Sequence, residues 1–119
     1  MIKGTKHDGG KTRWDIMPWH ELQEVAEVFT CGAKKYGDDN YKHGMPNMKA
    51  RLSAAALRHV TAWLSGKGCD VETGKSHLAH AVCCVLMLMW GQRHRWGQNL
   101  KQKGGPRHGD KHRTSRQKR

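Results

Sequence analysis

The stretch DVETGKSHLAHAVCCVLMLMW, residues 70–90, predicts the helix around which the rest of the chain packs. It begins with polar and charged residues and becomes almost wholly apolar from Ala81 onward. A helix that is apolar on most sides is usually buried in a protein core. The apolar run is far shorter than the roughly 20 residues that a membrane-spanning helix needs. We therefore expect a central core helix and no membrane partner.

Two histidines, His77 and His80, lie where this helix changes from polar to apolar, directly after Ser76, a good N-cap residue. The HxxH spacing can serve metal or phosphate binding, although it matches no specific metal motif. Helical spacing places Cys84 on the same side as the histidines. A second group of residues lies on another side of the helix, and we predict that this side packs in the core. The group is Leu78, Val82, Val85 and Met89.

A first helix is predicted over residues 18–35, because proline suits the first helical position. Its apolar stripe comprises Leu22, Val25, Ala26, Phe29, Ala33 and Tyr36. Another side carries the series ExxExxE, which ends in Glu24 and Glu27. Carboxylates at this spacing are neighbours that can share a hard divalent cation. The alternative is an ordinary solvated acidic face.

A further helix is predicted over residues 47–65, with Asn47 as the N-cap. His59 falls on its apolar face and not on the charged side with Arg51 and Arg58. A histidine in that position is either a core residue whose ring is hydrogen-bonded, or a group that faces the same interior as His77 and His80.

The first 17 residues read as a long N-terminal loop, broken by Gly9 and Gly10. The GKT at residues 10–12 resembles the end of a phosphate-binding P-loop. That motif needs a glycine where Thr5 stands, and a surrounding strand–helix unit that the sequence lacks. Lys11 and Arg13 remain candidates for anion contacts, with a solvated basic loop as the alternative.

These segments predict an all-α domain, a compact bundle of three to four main helices over residues 1–92. Residues 93–119 hold ten Lys or Arg residues and one acid, and so carry +9 of the formal charge of +12. Such a segment cannot bury enough apolar surface to fold alone, so we expect a disordered basic tail. Three helices make a thin core, which favours a homodimer or higher oligomer.

Four cysteines occur without a CxxC pair, which is typical of reduced thiols and not of a zinc ribbon or a disulfide framework. The N-terminus has no apolar signal-peptide region. A cytoplasmic location is therefore expected, the host cytoplasm if the protein is phage-encoded.

Three segments together resemble a phage-encoded family, the N-terminal domain of dATP/dGTP diphosphohydrolase. They are RWDIMPW at 13–19, EVAEVFTCGAKKYGDDNY at 24–41 and LRHVTAWLSGKGCDVETGKSHLAHAVCC at 57–84. The resemblance implies a MazG-like all-α nucleotide pyrophosphatase, usually dimeric or higher. It also implies hydrolysis of an acid anhydride: with Mg²⁺ (or Mn²⁺), a purine deoxynucleoside triphosphate is cleaved to dNMP and pyrophosphate.

The MazG-like metal pattern pairs ExxE on one helix with ExxD on a later one. The resemblance places the first half at Glu24 and Glu27, or at Glu21 and Glu24. His77 and His80 stand where the later acids are expected, so either Asp70 (or Glu72) is a further metal ligand or the histidines bind phosphate instead. Imidazole suits Mn²⁺, Co²⁺ or Zn²⁺ better than Mg²⁺.

The resemblance and residue chemistry together give the expected roles. Glu24, Glu27, His77 and His80 are the candidate catalytic residues, with Glu27 orienting the attacking water. The candidate substrate contacts are Lys11, Arg13, Lys34 and Lys35 for phosphate, Asn40 and Tyr41 for the base, and His59. Two alternatives remain: a non-enzymatic accessory protein that binds nucleic acid through the tail, and an all-α protein whose histidines bind metal without turnover.

Overall fold

A computed structural model describes residues 2–94 of the chain. Three α-helices dominate this part, connected by loops and two short 3₁₀ turns. The helices are α1 (Trp19–Tyr36), α2 (Met48–Leu64) and α3 (His77–His94). The 3₁₀ turns are Trp14–Ile16 and Asn40–His43. Residues 2–94 contain no β-strand, which confirms the predicted all-α class.

The helix starts agree with the predicted caps, but the two caps work differently. Ser76 caps α3 as expected, because its Oγ accepts a hydrogen bond from the backbone N–H of Leu78 at 3.0 Å. Asn47 precedes α2 in the left-handed conformation, with φ 62°, and its side chain makes no capping hydrogen bond. The last helix runs through His94 and so crosses the predicted domain boundary at residue 92. The predicted disorder of the tail concerns residues that, from 95 onward, lie outside the described chain.

The central position of α3 follows the prediction from its apolar sequence. It packs against both α2 and α1, whereas those two helices make few direct contacts with each other in the described chain. Its small residues Ala79 and Cys83 are buried against Val25 and Val28 of α1. Phe29 and Met87 complete this cluster from a partly buried position.

Two predicted core stripes are wrong in detail. On α1, Val28 is buried although it lies outside the predicted apolar stripe, and Tyr36, a member of that stripe, is 61% exposed. On α3, the stripe predicted as core is exposed by 39–52%: Leu78, Val82, Val85 and Met89. The reason is that α3 is apolar all round, so its pattern cannot select a face. The small residues permit close helix contact and take the core positions instead.

No helix within residues 2–94 is both long enough and apolar enough to cross a bilayer.

Candidate functional site

The few contacts between α1 and α2 leave a cleft above α3. The cleft has a volume of about 840 Å³. Its walls come from the second half of α1 and from α2, and its floor includes His80, Cys83 and Cys84 of α3. The loop before α3 contributes Asp70 and Thr73. We call this space the interhelical cleft.

The interhelical cleft brings together half of the residues predicted for the site. Those that line it are Lys35, Asn40, Tyr41, His59, Asp70 and His80. Those outside its lining are Lys11, Arg13, Glu24, Glu27, Lys34 and His77. Arg13 instead forms a two-point contact with Asp15, at 2.8 and 2.7 Å. This pairing satisfies its guanidinium within the N-terminal loop.

The sequence predicts Arg51 and Arg58 on a charged side of α2 apart from His59; both are exposed, but they share one cleft wall with that histidine. Both line the interhelical cleft, together with Ala55 and His59 of the same helix. Their spacing of seven residues, with Ala55 between them, places all three on one side of α2, although it does not show that this side faces a cleft. Neither guanidinium has a side-chain hydrogen bond or an ion pair within residues 2–94. Two cations in a cleft wall that have no partner among the described residues make the local potential positive, which attracts anions.

A histidine cluster adjoins the cleft, in agreement with the second of the two alternatives left open for His59, a group that faces the same interior as His77 and His80. Nδ1 of His59 lies 2.9 Å from Nδ1 of His77, so one ring donates a hydrogen bond to the other. The His80 ring stacks on the His59 ring, with centroids 4.5 Å apart and planes inclined by 18°. Burial, followed by the neighbouring His80 and His77, lowers the pKa of His59 below its usual 6.5. Burial is likewise the main cause that lowers the pKa of His80.

The loop before α3 supports this cluster through Asp70 and Thr73. Nε2 of His80 lies 2.7 Å from Oγ1 of Thr73 and 3.8 Å from Oδ2 of Asp70. The same oxygen of Asp70 accepts the backbone N–H groups of Glu72 at 3.1 Å and of Thr73 at 3.0 Å. Burial alone would raise the pKa of Asp70, but the hydrogen bonds from Thr73 and the charge of His80 outweigh it, and the pKa is lowered.

Glu24 and Glu27 lie beside the start of α3, outside the lining of the cleft. Oε2 of Glu24 accepts the backbone N–H of Ser76 at 2.6 Å. Oε1 of Glu27 pairs with Nζ of Lys75 at 2.8 Å, and its Oε2 accepts from Gln23 at 3.2 Å. The Lys75 ammonium is the main cause that lowers the pKa of Glu27. Both carboxylates therefore hold α1 against the first turn of α3.

The Mg²⁺ implied by the resemblance needs several oxygen ligands around one point. Glu24, Glu27 and Asp70 do not form such a group in the described chain, and both oxygens of Glu27 already have donors. The side chains that do converge are His59, Asp70 and His77, whose ligand atoms all lie within 4.8 Å of one another. A centre of three carboxylates is therefore a poor fit to this fold.

The remaining cleft residues combine charge with aromatic surface. Nζ of Lys35 contacts Oε2 of Glu72 at 2.9 Å on the cleft wall. The Tyr41 ring packs edge-on against Phe29 and Trp90, with centroids 5.8 and 5.6 Å away. Tyr36, more than half exposed, also lines the cleft, and Nζ of Lys35 lies 5.3 Å from its ring centroid.

Known proteins resemble the chain over most of the described region. The profile of the family described as "dATP/dGTP diphosphohydrolase, N-terminal" matches residues 1–103. A protein of Salmonella phage PMBT28 named dATP/dGTP diphosphohydrolase is 34% identical over 90 residues, which are 75% of this chain and 30% of the phage protein. The chain thus spans about a third of that relative's length. No solved structure matches the chain significantly.

The family match covers all three helices and the interhelical cleft, and it confirms the resemblance inferred from the sequence segments. The chain therefore belongs to the family of dATP/dGTP diphosphohydrolase N-terminal domains.

Proposed function

We propose that the domain binds a purine deoxynucleoside triphosphate in the interhelical cleft and contributes to its hydrolysis to dNMP and pyrophosphate. The observation that carries this proposal is that the guanidiniums of Arg51 and Arg58 lie in the wall of a cleft of about 840 Å³ and have no hydrogen-bonded or ionic partner within residues 2–94. A cleft of this size accommodates a small ligand. The name of the phage relative supports the choice of dATP or dGTP.

The charges of the cleft match the charges of a triphosphate. Guanidinium groups bind phosphate oxygens through two parallel hydrogen bonds, and their charge stabilises the negative charge that develops during transfer. Lys35 adds a third cation, although Glu72 partly neutralises it. The exposed ring of Tyr36 offers a stacking surface for the base, and Asn40 and Tyr41 stay the predicted base contacts.

Hydrolysis requires a water to attack one of the two phosphorus atoms that flank the α–β bridging oxygen. One P–O bond forms, the bond to the bridging oxygen breaks, and a proton of the water passes to a base. His80 is the proposed base, because it lines the cleft and burial favours its neutral form. A divalent cation is the proposed cofactor; the described side chains fit Mn²⁺ better than the Mg²⁺ that the resemblance implies, and a bound ion would neutralise phosphate charge.

The test is a direct assay of the full chain with each of the four dNTPs, in Mg²⁺ or Mn²⁺, with separation of the products. We expect dNMP and pyrophosphate from dATP or dGTP, and loss of turnover in His80→Gln. Absence of cleavage in every combination, together with no binding of a non-hydrolysable dATP or dGTP analogue, would refute the proposal. The exposed His20→Gln on α1 is the control for histidine replacement.

Nucleic-acid binding through the basic tail stays the second candidate function, because residues 93–119 carry +9 of the chain's formal charge. Counterion release makes such binding strongly dependent on salt. A chain truncated after Trp96 should retain nucleotide hydrolysis and lose any steeply salt-dependent affinity for DNA. Equal DNA affinity in the truncated and full chains would exclude the tail as a binding segment.

A further inference from the structure

Three side chains from three separate segments converge at one end of the cleft. His59 comes from the third quarter of α2, Asp70 from the following loop, and His77 from the first position of α3. Their ligand atoms lie within 4.8 Å of one another, and no other group of three such residues does so in the part of the chain that the structure describes. The spacing of these three residues in the sequence does not by itself predict that they lie close together in the fold.

The spacing of the two imidazoles matches that of two ligands on one ion. Metal–nitrogen bonds of about 2.0–2.1 Å, at angles of about 90–110°, place two nitrogen ligands about 2.9–3.3 Å apart. Nδ1 of His59 and Nδ1 of His77 are 2.9 Å apart and face each other. The ligand oxygen of Asp70 lies within 4.8 Å of the ligand nitrogens of both histidines, so the three residues can share one ion.

The ligands are held in place by their surroundings. Asp70 accepts three hydrogen bonds from the loop, two of them from backbone N–H groups. His59 is stacked against His80, whose Nε2 contacts Thr73. The backbone N–H of His77 donates to the carbonyl of Gly68 at 2.9 Å, which fixes the start of α3 relative to the loop. Support of this kind orients ligands and raises metal affinity.

We propose that His59, Asp70 and His77 form a binding site for one borderline divalent transition ion, such as Zn²⁺, Mn²⁺ or Co²⁺, in preference to Mg²⁺. Two imidazoles and one carboxylate are the ligand set that transition ions prefer, whereas Mg²⁺ prefers oxygen alone. The three ligands leave coordination positions open. His59 and Asp70 also line the interhelical cleft, so a phosphate oxygen can reach the ion. The site does not depend on the proposed hydrolysis, because its occupancy is measured without nucleotide.

The alternative is a hydrogen-bonded histidine pair with no metal role. An experiment on the full chain distinguishes the metal site from the histidine pair without metal. The chain is stripped of metal by a chelator and then titrated with Zn²⁺ and, separately, with Co²⁺. We expect one ion per chain bound tightly, absorption bands of histidine-ligated Co²⁺, and little competition from millimolar Mg²⁺. We also expect Zn²⁺ to raise the melting temperature.

His59→Gln and Asp70→Asn should each weaken this binding by at least tenfold and abolish the rise in melting temperature. His20→Gln, an exposed replacement on α1, is the control for the other histidines of the chain. Asp70→Asn keeps an oxygen acceptor for the loop N–H groups, so it decides the question if His59→Gln does not fold. Unchanged stoichiometry and affinity in Asp70→Asn, or equal competition by Mg²⁺, would overturn the proposal.

Discussion

Oε2 of Glu24 accepts a hydrogen bond of 2.6 Å from the backbone N–H of Ser76, and this contact joins the middle of α1 to the start of α3. The first N–H groups of a helix have no partner inside the helix. A carboxylate near this end is also favoured by the helix dipole. Beside it, Lys75 pairs with Glu27 and adds a second contact between the same segments. Two acids predicted as metal ligands thus have a structural role in the fold.

Glu24→Ala should therefore lower the free energy of unfolding by about 1.5–3 kcal/mol, as expected for loss of a partly buried hydrogen bond to a charged group. Glu24→Gln keeps an acceptor oxygen and should lose less. Urea denaturation of both variants measures this, with Glu21→Ala at an exposed site of α1 as the control. Equal stability of the alanine variants at positions 24 and 21 would contradict the expected role.

The same pair of variants tests the predicted catalytic role of Glu24 separately. If the carboxylate also acts in hydrolysis, Glu24→Gln should lose turnover while its stability stays close to that of the unchanged chain. Normal turnover in a stable Glu24→Gln would limit Glu24 to the contact with Ser76.

Arg51→Gln and Arg58→Gln should each weaken the binding of a non-hydrolysable dATP or dGTP analogue by roughly tenfold or more. A charge-assisted hydrogen bond contributes about 1.5–3 kcal/mol, and about 1.4 kcal/mol corresponds to a tenfold change in affinity. Isothermal titration measures the dissociation constants. Lys49→Gln removes one positive charge from the same helix outside the cleft lining and should change the affinity little. A similar loss in all three variants would indicate a general effect of charge.

Stability should decrease as the pH falls below about 6.5, because the pKa values of His59 and His80 are lowered in the folded chain. Below the unfolded pKa of about 6.5, the unfolded state binds more protons at these sites, so stability rises with pH across that window. The charges facing the pair from adjacent segments are Glu24, Arg58, Asp70, Glu72 and His77. Asp70, Glu72 and Glu24 oppose the lowering of these pKa values, and burial outweighs them.

Thermal unfolding of the metal-free chain between pH 7.5 and 5.5 measures this dependence. His59→Asn should reduce the slope of melting temperature against pH, whereas His20→Gln should leave it unchanged. An identical slope in His59→Asn would show that other groups cause the loss of stability in acid.

The sequence predicted the helices well, because caps and turn residues act locally. Ser76 and Pro18 mark helix starts within one residue of where they occur. It predicted the cleft less well, because helix faces are chosen by tertiary packing. Arg51 and Arg58 line the cleft because of the way α2 packs on α3. The local sequence pattern of a helix of mixed polarity does not determine that packing. The approach of His59 to His77 likewise depends on how the loop between them folds.

The exposed stripe of α3 supports the predicted self-association and gives the final prediction. Val82 and Val85 are 42% and 46% exposed on the helix that otherwise forms the centre of the domain. Water-exposed apolar surface of this extent favours association with another apolar surface, and a second copy of the chain supplies the same stripe. Val82→Lys should therefore shift a homodimer toward monomer without loss of helix content, since the side chain contributes little to the core within one chain.

Sedimentation velocity over a range of protein concentrations measures this shift, and circular dichroism monitors the fold. Leu57→Lys, at a 66% exposed apolar position on α2, is the matched control and should leave the dimer intact. A monomeric unchanged chain at all concentrations would refute self-association through this surface. Dissociation by Leu57→Lys but not by Val82→Lys would place the dimer contact on α2 instead, away from the stripe that α3 exposes.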